Sequence, residues 1–224
     1  MAIRSEDKFY FEEKRKIVNF IEKTLPGELE NDQLNCKILT ETDLHTCVFS
    51  HLNKFFQNKF ENWFILNEPY LRVGKEKQKK PDIVICRKKA KKMHPIVLIE
   101  LKEKRGLVDS LSLKSKKTAL DGDTKKLINI LKQNKKKKNR QRTAITHNYL
   151  ILALTSSNPD RIRRNDPSEI EKMLQKKVGN ELQKNGLNKK RIQVIVISAF
   201  YSKDFEARLQ ALEKIRTLRE IRLK

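Results

Sequence analysis

The apolar positions of the chain change period along its length, and the changes mark its elements. From residue 10 to residue 25, Phe11, Ile17, Val18, Phe20 and Ile21 fall near helical spacing, and Pro26-Gly27 is the expected stop. Residues 28–39 show no period and are expected to be irregular. Thr40 then fits the cap of a second helix, with Asp43 as its reciprocal partner. Leu44, Val48, Leu52, Phe55 and Phe56 form the apolar face of that helix. Three strand-like runs follow: WFILNEPYLRV at 63–73, PDIVICR at 81–87 and PIVLIELK at 95–102. The proline opening the second run sits where a strand tolerates it. The third run is almost continuously apolar, as expected of a strand buried on both faces.

Helical spacing returns at 123–133 with Leu127, Ile128, Ile130 and Leu131, followed by a basic loop at 135–142. YLILALT at 149–155 reads as a fourth strand. Asp166-Pro167 opens a long helix running through Val178 toward Leu182, with proline in its first turn. IQVIVISAF at 192–200 reads as a fifth strand, and a helix from 203 to the end turns Phe205, Leu209, Leu212, Ile215 and Leu218 inward. Short connections between the early strands imply antiparallel pairing, and helices between the later ones imply parallel crossovers. The expected fold class is therefore α/β, a mixed β-sheet flanked by helices, with no internal repeat.

Composition narrows the partners. The 224 residues include 51 Lys and Arg against 28 Asp and Glu, a formal net charge of +23. Such an excess repels itself unless a polyanion neutralises it, and nucleic acid is the usual one because phosphate contacts release condensed counterions. An anionic membrane fits less well, and a solvated basic surface is the plain alternative. Cys36, Cys47 and Cys86 form no C-x-x-C pair, so neither a zinc ribbon nor a redox motif is indicated, and a reducing cytoplasm is the expected compartment. No charged start with an apolar run behind it and no apolar stretch of ~18 residues is present, so neither secretion nor a membrane span is expected. His45, His51, His94 and His147 lack zinc spacing and are expected at the surface or half-buried. No Walker loop or Rossmann fingerprint occurs.

The chemistry concentrates in Pro81-Asp82, at the start of one strand, and Glu100-Leu101-Lys102, at the end of the next. If those strands are adjacent and antiparallel, Asp82 and Glu100 meet at one sheet end. Alternation then puts Glu100 and Lys102 on one face and Leu101 on the other. Two converging carboxylates suit Mg²⁺ or Mn²⁺, and the Leu101 carbonyl can add a third oxygen. Lys102 would stand beside the bound water or phosphate and stabilise developing negative charge. Glu-x-Lys also occurs at Glu6 and Glu12, and Pro-Asp at Pro159-Asp160, but only the Asp82/Glu100/Lys102 set has both halves on consecutive strands. The plain alternative is a Glu–Lys pair reaching solvent at a strand mouth.

This pattern resembles the PD-(D/E)XK nuclease superfamily, the restriction-endonuclease-like proteins, over about residues 40–156. The resemblance implies an α-β-β-β-α-β core with extra N- and C-terminal helices. Residues 1–39 would be an N-terminal helical extension, 40–156 the nuclease-like core, and 157–224 a helix–strand–helix continuation of the same domain. It implies catalytic roles for Asp82, Glu100 and Lys102, with Asp82, Glu100 and Leu101 holding the metal. Many members carry a further Glu in the first core helix, and Glu41 is the matching position. Glu41 reads equally well as a carboxylate favoured by the helix dipole. Asp123-Thr-Lys-Lys-Leu127 resembles the start of the second core helix, where Asp123 can also serve simply as a cap. Glu68, in the first strand, reads as a solvated edge residue or as a neighbour of the metal.

The expected function is Mg²⁺-dependent phosphodiester hydrolysis, in DNA in preference to RNA. A homodimer or a larger defence or recombination complex is compatible with it. Phosphate contacts flanking the site are expected from the basic runs, the first two of which adjoin the strands bearing Asp82 and Glu100: Lys75, Lys77, Lys79, Lys80, Lys88, Lys89, Lys135, Lys136, Lys137, Lys138, Arg140 and Arg142. The competing class is a non-catalytic nucleic-acid-binding or assembly subunit with the same fold. A third is a basic ribonucleoprotein component with no site at all.

Overall fold

The computed structural model describes residues 5–35, 37–38, 40–57, 59–70, 80–105, 121–136, 145–155 and 167–198. It is an α/β structure: one five-stranded mixed sheet with helices on both faces. Helix α1 (Ser5–Asn19) runs through a π-helical turn (Phe20–Thr24) into α2 (Leu25–Leu34). The expected stop at Pro26-Gly27 is therefore wrong, and residues 28–34 are helical rather than irregular. The reason is local. The wide turn is closed by the Leu25 N–H on the Phe20 carbonyl, and Pro26 falls in the first turn of α2, where no N–H is required. Helix α3 (Glu41–Phe56) starts at the expected capping box: the Asp43 N–H donates to Thr40 Oγ1 at 3.2 Å, and the Thr40 N–H donates to Asp43 Oδ2 at 2.9 Å.

Strands β1 (Trp63–Asn67), β2 (Ile83–Lys89) and β3 (Lys92–Arg105) form an antiparallel meander. Helix α4 (Asp121–Lys136) crosses over to β4 (His147–Thr155), and α5 (Pro167–Lys184) to β5 (Gln193–Ile197), so β3, β4 and β5 run parallel. The strand order is β1-β2-β3-β4-β5. β1 is shorter than the run at 63–73 suggested, and the basic segment expected as a loop begins inside α4, which lasts to Lys136. The C-terminal helix expected from 203 lies outside the described residues.

Alternation along the strands divides the core. Val84, Leu98, Leu150, Leu152 and Val194 face α4 and α5, and Ile83, Val97, Ile99, Tyr149, Ile151 and Ile195 face α1, α2 and α3. Both crossover helices lie on one face, as two right-handed crossovers stepping in the same direction require. Polar bonds tie the N-terminal helices to the sheet: Gln33 Nε2 donates to the Leu154 carbonyl, the Tyr149 hydroxyl to Glu22, and the Trp63 indole N–H to Glu13. Ile17, Ile21, Leu25 and Leu29 of these helices are buried in the core on this face of the sheet. On the β5 edge, side chains from α5 stand in for a sixth strand. Gln175 accepts the Val194 N–H at 2.8 Å and donates to the Ile192 carbonyl at 2.9 Å, and Glu171 accepts the Val196 N–H.

The β2–β3 hairpin closes through Ala90 (φ 48°) and Lys91 (φ 63°), both left-handed. A two-residue turn of this kind favours Asn-Gly, because a side chain with Cβ meets the following carbonyl there. Replacing Ala90 with Asn and Lys91 with Gly is expected to raise stability by about 1 kcal/mol or more, read as a higher midpoint in urea. An unchanged or lower midpoint would mean that the turn carries no strain.

Candidate metal-binding site at the β2–β3 end

The register Ile83↔Ile99 brings the residue before β2 alongside Glu100 of β3. Asp82 and Glu100 therefore meet on adjacent antiparallel strands. Their even-numbered neighbours Val84 and Leu98 lie in the core under α4 and α5, while Leu101 lies in the opposite core. The expected alternation of Glu100, Leu101 and Lys102 is found. Asp82 Oδ2 accepts the Leu101 N–H at 2.7 Å, so the carboxylate extends the ladder one step beyond the strand. The Asp82 carbonyl accepts the Glu68 N–H at 2.7 Å, which pins the start of β2 to the end of β1, and Glu68 takes a positive φ of 42° there.

Two helix N-termini complete the group. Glu41 is the first residue of α3 and Asp123 lies in the first turn of α4, both favoured by the helix dipole. Lys102 Nζ lies 2.8 Å from Glu41 Oε2 and 3.7 Å from Asp123 Oδ2, joining helices from opposite layers. Lys126, one turn into α4, reaches Glu100 Oε2 at 2.7 Å and comes within 3.9 Å of Asp82 Oδ1. His45, one turn after Glu41, brings Nε2 to 3.4 Å from the Asp82 carbonyl. Sequence reasoning missed Lys126 and gave His45 no place at the site. Spacing from Asp123 to Lys126 (i, i+3) was the available signal for the first, and spacing from Glu41 to His45 (i, i+4) for the second.

Four carboxylates, of Glu41, Asp82, Glu100 and Asp123, thus face two ammonium groups, of Lys102 and Lys126. Full ionisation leaves two negative charges uncompensated, in a protein whose formal net charge is +23. Glu100 is 1% exposed, and its Oε1 is buried without a hydrogen-bond partner. Burial, with Asp82 nearby, pushes the Glu100 carboxyl up to about 8, against the pull of Lys126. Burial also raises Asp123, against Lys102 and Lys126. Lys102 is held above its usual range, because the carboxylates around it outweigh its partial burial. Among the described residues, no three His, Cys, Asp or Glu side chains converge as a ready-made metal cage. What is present is a pair of carboxylates with an ammonium group between them and one buried oxygen unused.

The lysines expected at phosphates separate. Lys80 is exposed beside the site, paired with Glu68 and 5.7 Å from the Tyr70 ring centroid. Lys88 and Lys89 end β2, about 20 Å from Asp82 at ~3.3 Å per residue. They do not flank the site, which corrects the expectation drawn from their closeness in sequence. Lys135 and Lys136 end α4, about 19 Å along its axis from Asp123. Lys75, Lys77, Lys79, Lys137, Lys138, Arg140 and Arg142 lie outside the described residues. Comparison of the chain with models of protein families, with characterised proteins and with solved structures finds no match.

A buried acid whose folded pKa lies above its unfolded value binds more protons folded than unfolded between the two. Stability should then fall as pH rises from about 4.5 to about 8. In EDTA, the steepest part of the Glu100 contribution is ~1.4 kcal/mol per pH unit. Glu100→Gln is expected to flatten that decline in denaturant midpoints measured across pH. A decline that survives in Glu100→Gln would assign it to other groups.

Proposed function

We propose that the chain is a divalent-metal-dependent nuclease of the PD-(D/E)XK type, acting on DNA. The observation that carries this reading is the convergence of Asp82 and Glu100 at one sheet end, short of positive charge, with Lys102 on the same face. The order α3-β1-β2-β3-α4-β4 supports it, since it is the α-β-β-β-α-β order of that superfamily. Hard carboxylate oxygens suit Mg²⁺ or Mn²⁺, and the unused Glu100 Oε1 fits a ligand for such an ion. Asp82 Oδ1, Glu100 and the Leu101 carbonyl would hold it; a strand residue points its C=O to the same side as its N–H, here toward Asp82. Lys126 fills the space between the carboxylates with its ammonium group, on a flexible stem able to withdraw.

When bound, the ion polarises the scissile phosphate and lowers the pKa of a bound water. The chain's own residues supply the rest. Lys102, fixed by Glu41 and Asp123, keeps its proton and sets a positive charge beside the reacting phosphate, where negative charge develops. Glu41 and Asp123 orient Lys102. His45 and the Glu68 N–H hold the backbone of Asp82, so its carboxylate is fixed from behind. A second reading, a binding subunit without catalysis, is favoured by the Lys126–Glu100 pair, which closes the site with a cation of its own.

Cleavage of plasmid, linear and branched DNA in Mg²⁺ or Mn²⁺, absent in EDTA, separates the two. Asp82→Asn and Glu100→Gln are each expected to lower the cleavage rate about a hundredfold or more. Duplex affinity in EDTA should stay near that of the wild type. Failure of the wild type to cleave any substrate would favour the binding subunit, and wild-type rates in either variant would remove the carboxylates from the chemistry.

A further inference from the structure

The parallel run of β3, β4 and β5 gathers their N-terminal ends at the side of the sheet away from Glu100, and antiparallel β2 adds its C-terminal end. Two of the segments that build this side carry charge of one sign. Residues 87–95 and 183–193 hold nine Lys and Arg and no Asp or Glu. A continuous row of cations crosses it. The Arg87 guanidinium lies 4.4 Å from the Tyr10 ring centroid, and Lys14 Nζ lies 6.0 Å from the same ring. Tyr10 in turn stacks on Trp63. Lys14 and Arg191 both act on His147, the first residue of β4. Arg191 is held in place by donating to the Ile145 and Thr146 carbonyls. From β2 to β5 the row spans three strand spacings, about 14 Å.

Among the described residues no carboxylate forms an ion pair with Arg87, Lys14 or Arg191: Glu13 takes the Trp63 indole N–H, Glu181 pairs with Lys184, Glu22 accepts from Tyr149, and Glu61 is exposed in the turn before β1. Arg87 Nε is buried with no hydrogen-bond partner. Burial lowers Lys14, and the neighbouring Arg191 lowers it further. Burial, with Lys14 and Arg191, pushes His147 down to about 4. Lys14 and Arg191 repel each other, and an anion would relieve them.

We propose that this end of the sheet is a docking face for the sugar–phosphate backbone of nucleic acid, distinct from the carboxylate site at the other end. The hairpin tip (Lys89, Lys92) and the turn before β5 (Lys189, Lys190) carry its exposed contacts. A membrane surface fits less well. The exposed aromatics Phe9 and Phe11 stand two residues apart on α1, about 160° around the helix from each other, so they cannot enter one plane together. The face holds a second stretch of a bound strand while the carboxylates meet the first. It does not require that the carboxylates be catalytic.

The test is duplex binding by the full chain in EDTA across a salt series. Lys89→Gln/Lys92→Gln/Lys189→Gln/Lys190→Gln removes four exposed charges from the face. A control, Lys23→Gln/Lys37→Gln/Lys172→Gln/Lys176→Gln, removes four exposed charges elsewhere. The first set is expected to flatten the log–log salt slope by ~0.9 for each phosphate no longer neutralised, and to weaken binding at least tenfold. The control should change affinity less than threefold. Equal weakening by both sets would show that only net charge counts and overturn the proposal. So would binding to vesicles of three parts phosphatidylserine to seven of phosphatidylcholine with no binding to duplex. Circular dichroism of both variants excludes unfolding as the cause. Because the readout needs no metal, a protein that binds here but never cleaves would refute the nuclease reading alone.

Discussion

The pairing of β2 with β3 is the constraint on which the site depends. Register Ile83↔Ile99 sets Asp82 beside Glu100, and the Asp82 carboxylate locks that register by taking the Leu101 N–H. A slip of one residue would turn Glu100 and Lys102 into the core occupied by Leu101, and Leu101 onto the site. The buried faces oppose such a slip, because Val84 and Leu98 fill one core and Ile83 and Ile99 the other. The same bonds that hold the sheet together therefore aim the carboxylates.

Charge of opposite sign predominates at the two ends of the sheet. Four carboxylates meet at one end of the sheet, and rows of lysine and arginine end the strands and turns at the other. A buried ion pair is weak support for stability, since desolvation of both charges offsets most of their attraction. On the proposed reading, the Lys126–Glu100 contact is a place kept for positive charge rather than a staple. A protein built only for packing would fill this strand end with another apolar residue, at similar volume and without an unused buried oxygen.

The sequence was legible where one interaction dominates. Continuous apolar runs at β3 and β4 showed strands buried on both faces, and Thr40 with Asp43 showed the start of α3. Asp82, Glu100 and Lys102 could be placed because period-2 alternation fixes relative facing once two strands are adjacent. Pro26 misled, because a proline that ends an α-helix is harmless in the first turn that follows a π-helical turn. Lys126 stayed hidden because it sits among other lysines on a helix, where only the third dimension separates a solvated charge from one aimed inward. Lys88 and Lys89 misled for the opposite reason. Closeness in sequence to Asp82 becomes distance when the intervening residues are extended.

Crystals grown or soaked in Mn²⁺ test the central claim most directly, through anomalous density at the manganese edge. The expected result is one peak between Asp82 and Glu100, within about 2.0–2.3 Å of their oxygens, with the Lys126 ammonium group displaced. Saturating Mn²⁺ that leaves no peak there, with Lys126 still on Glu100, would contradict it.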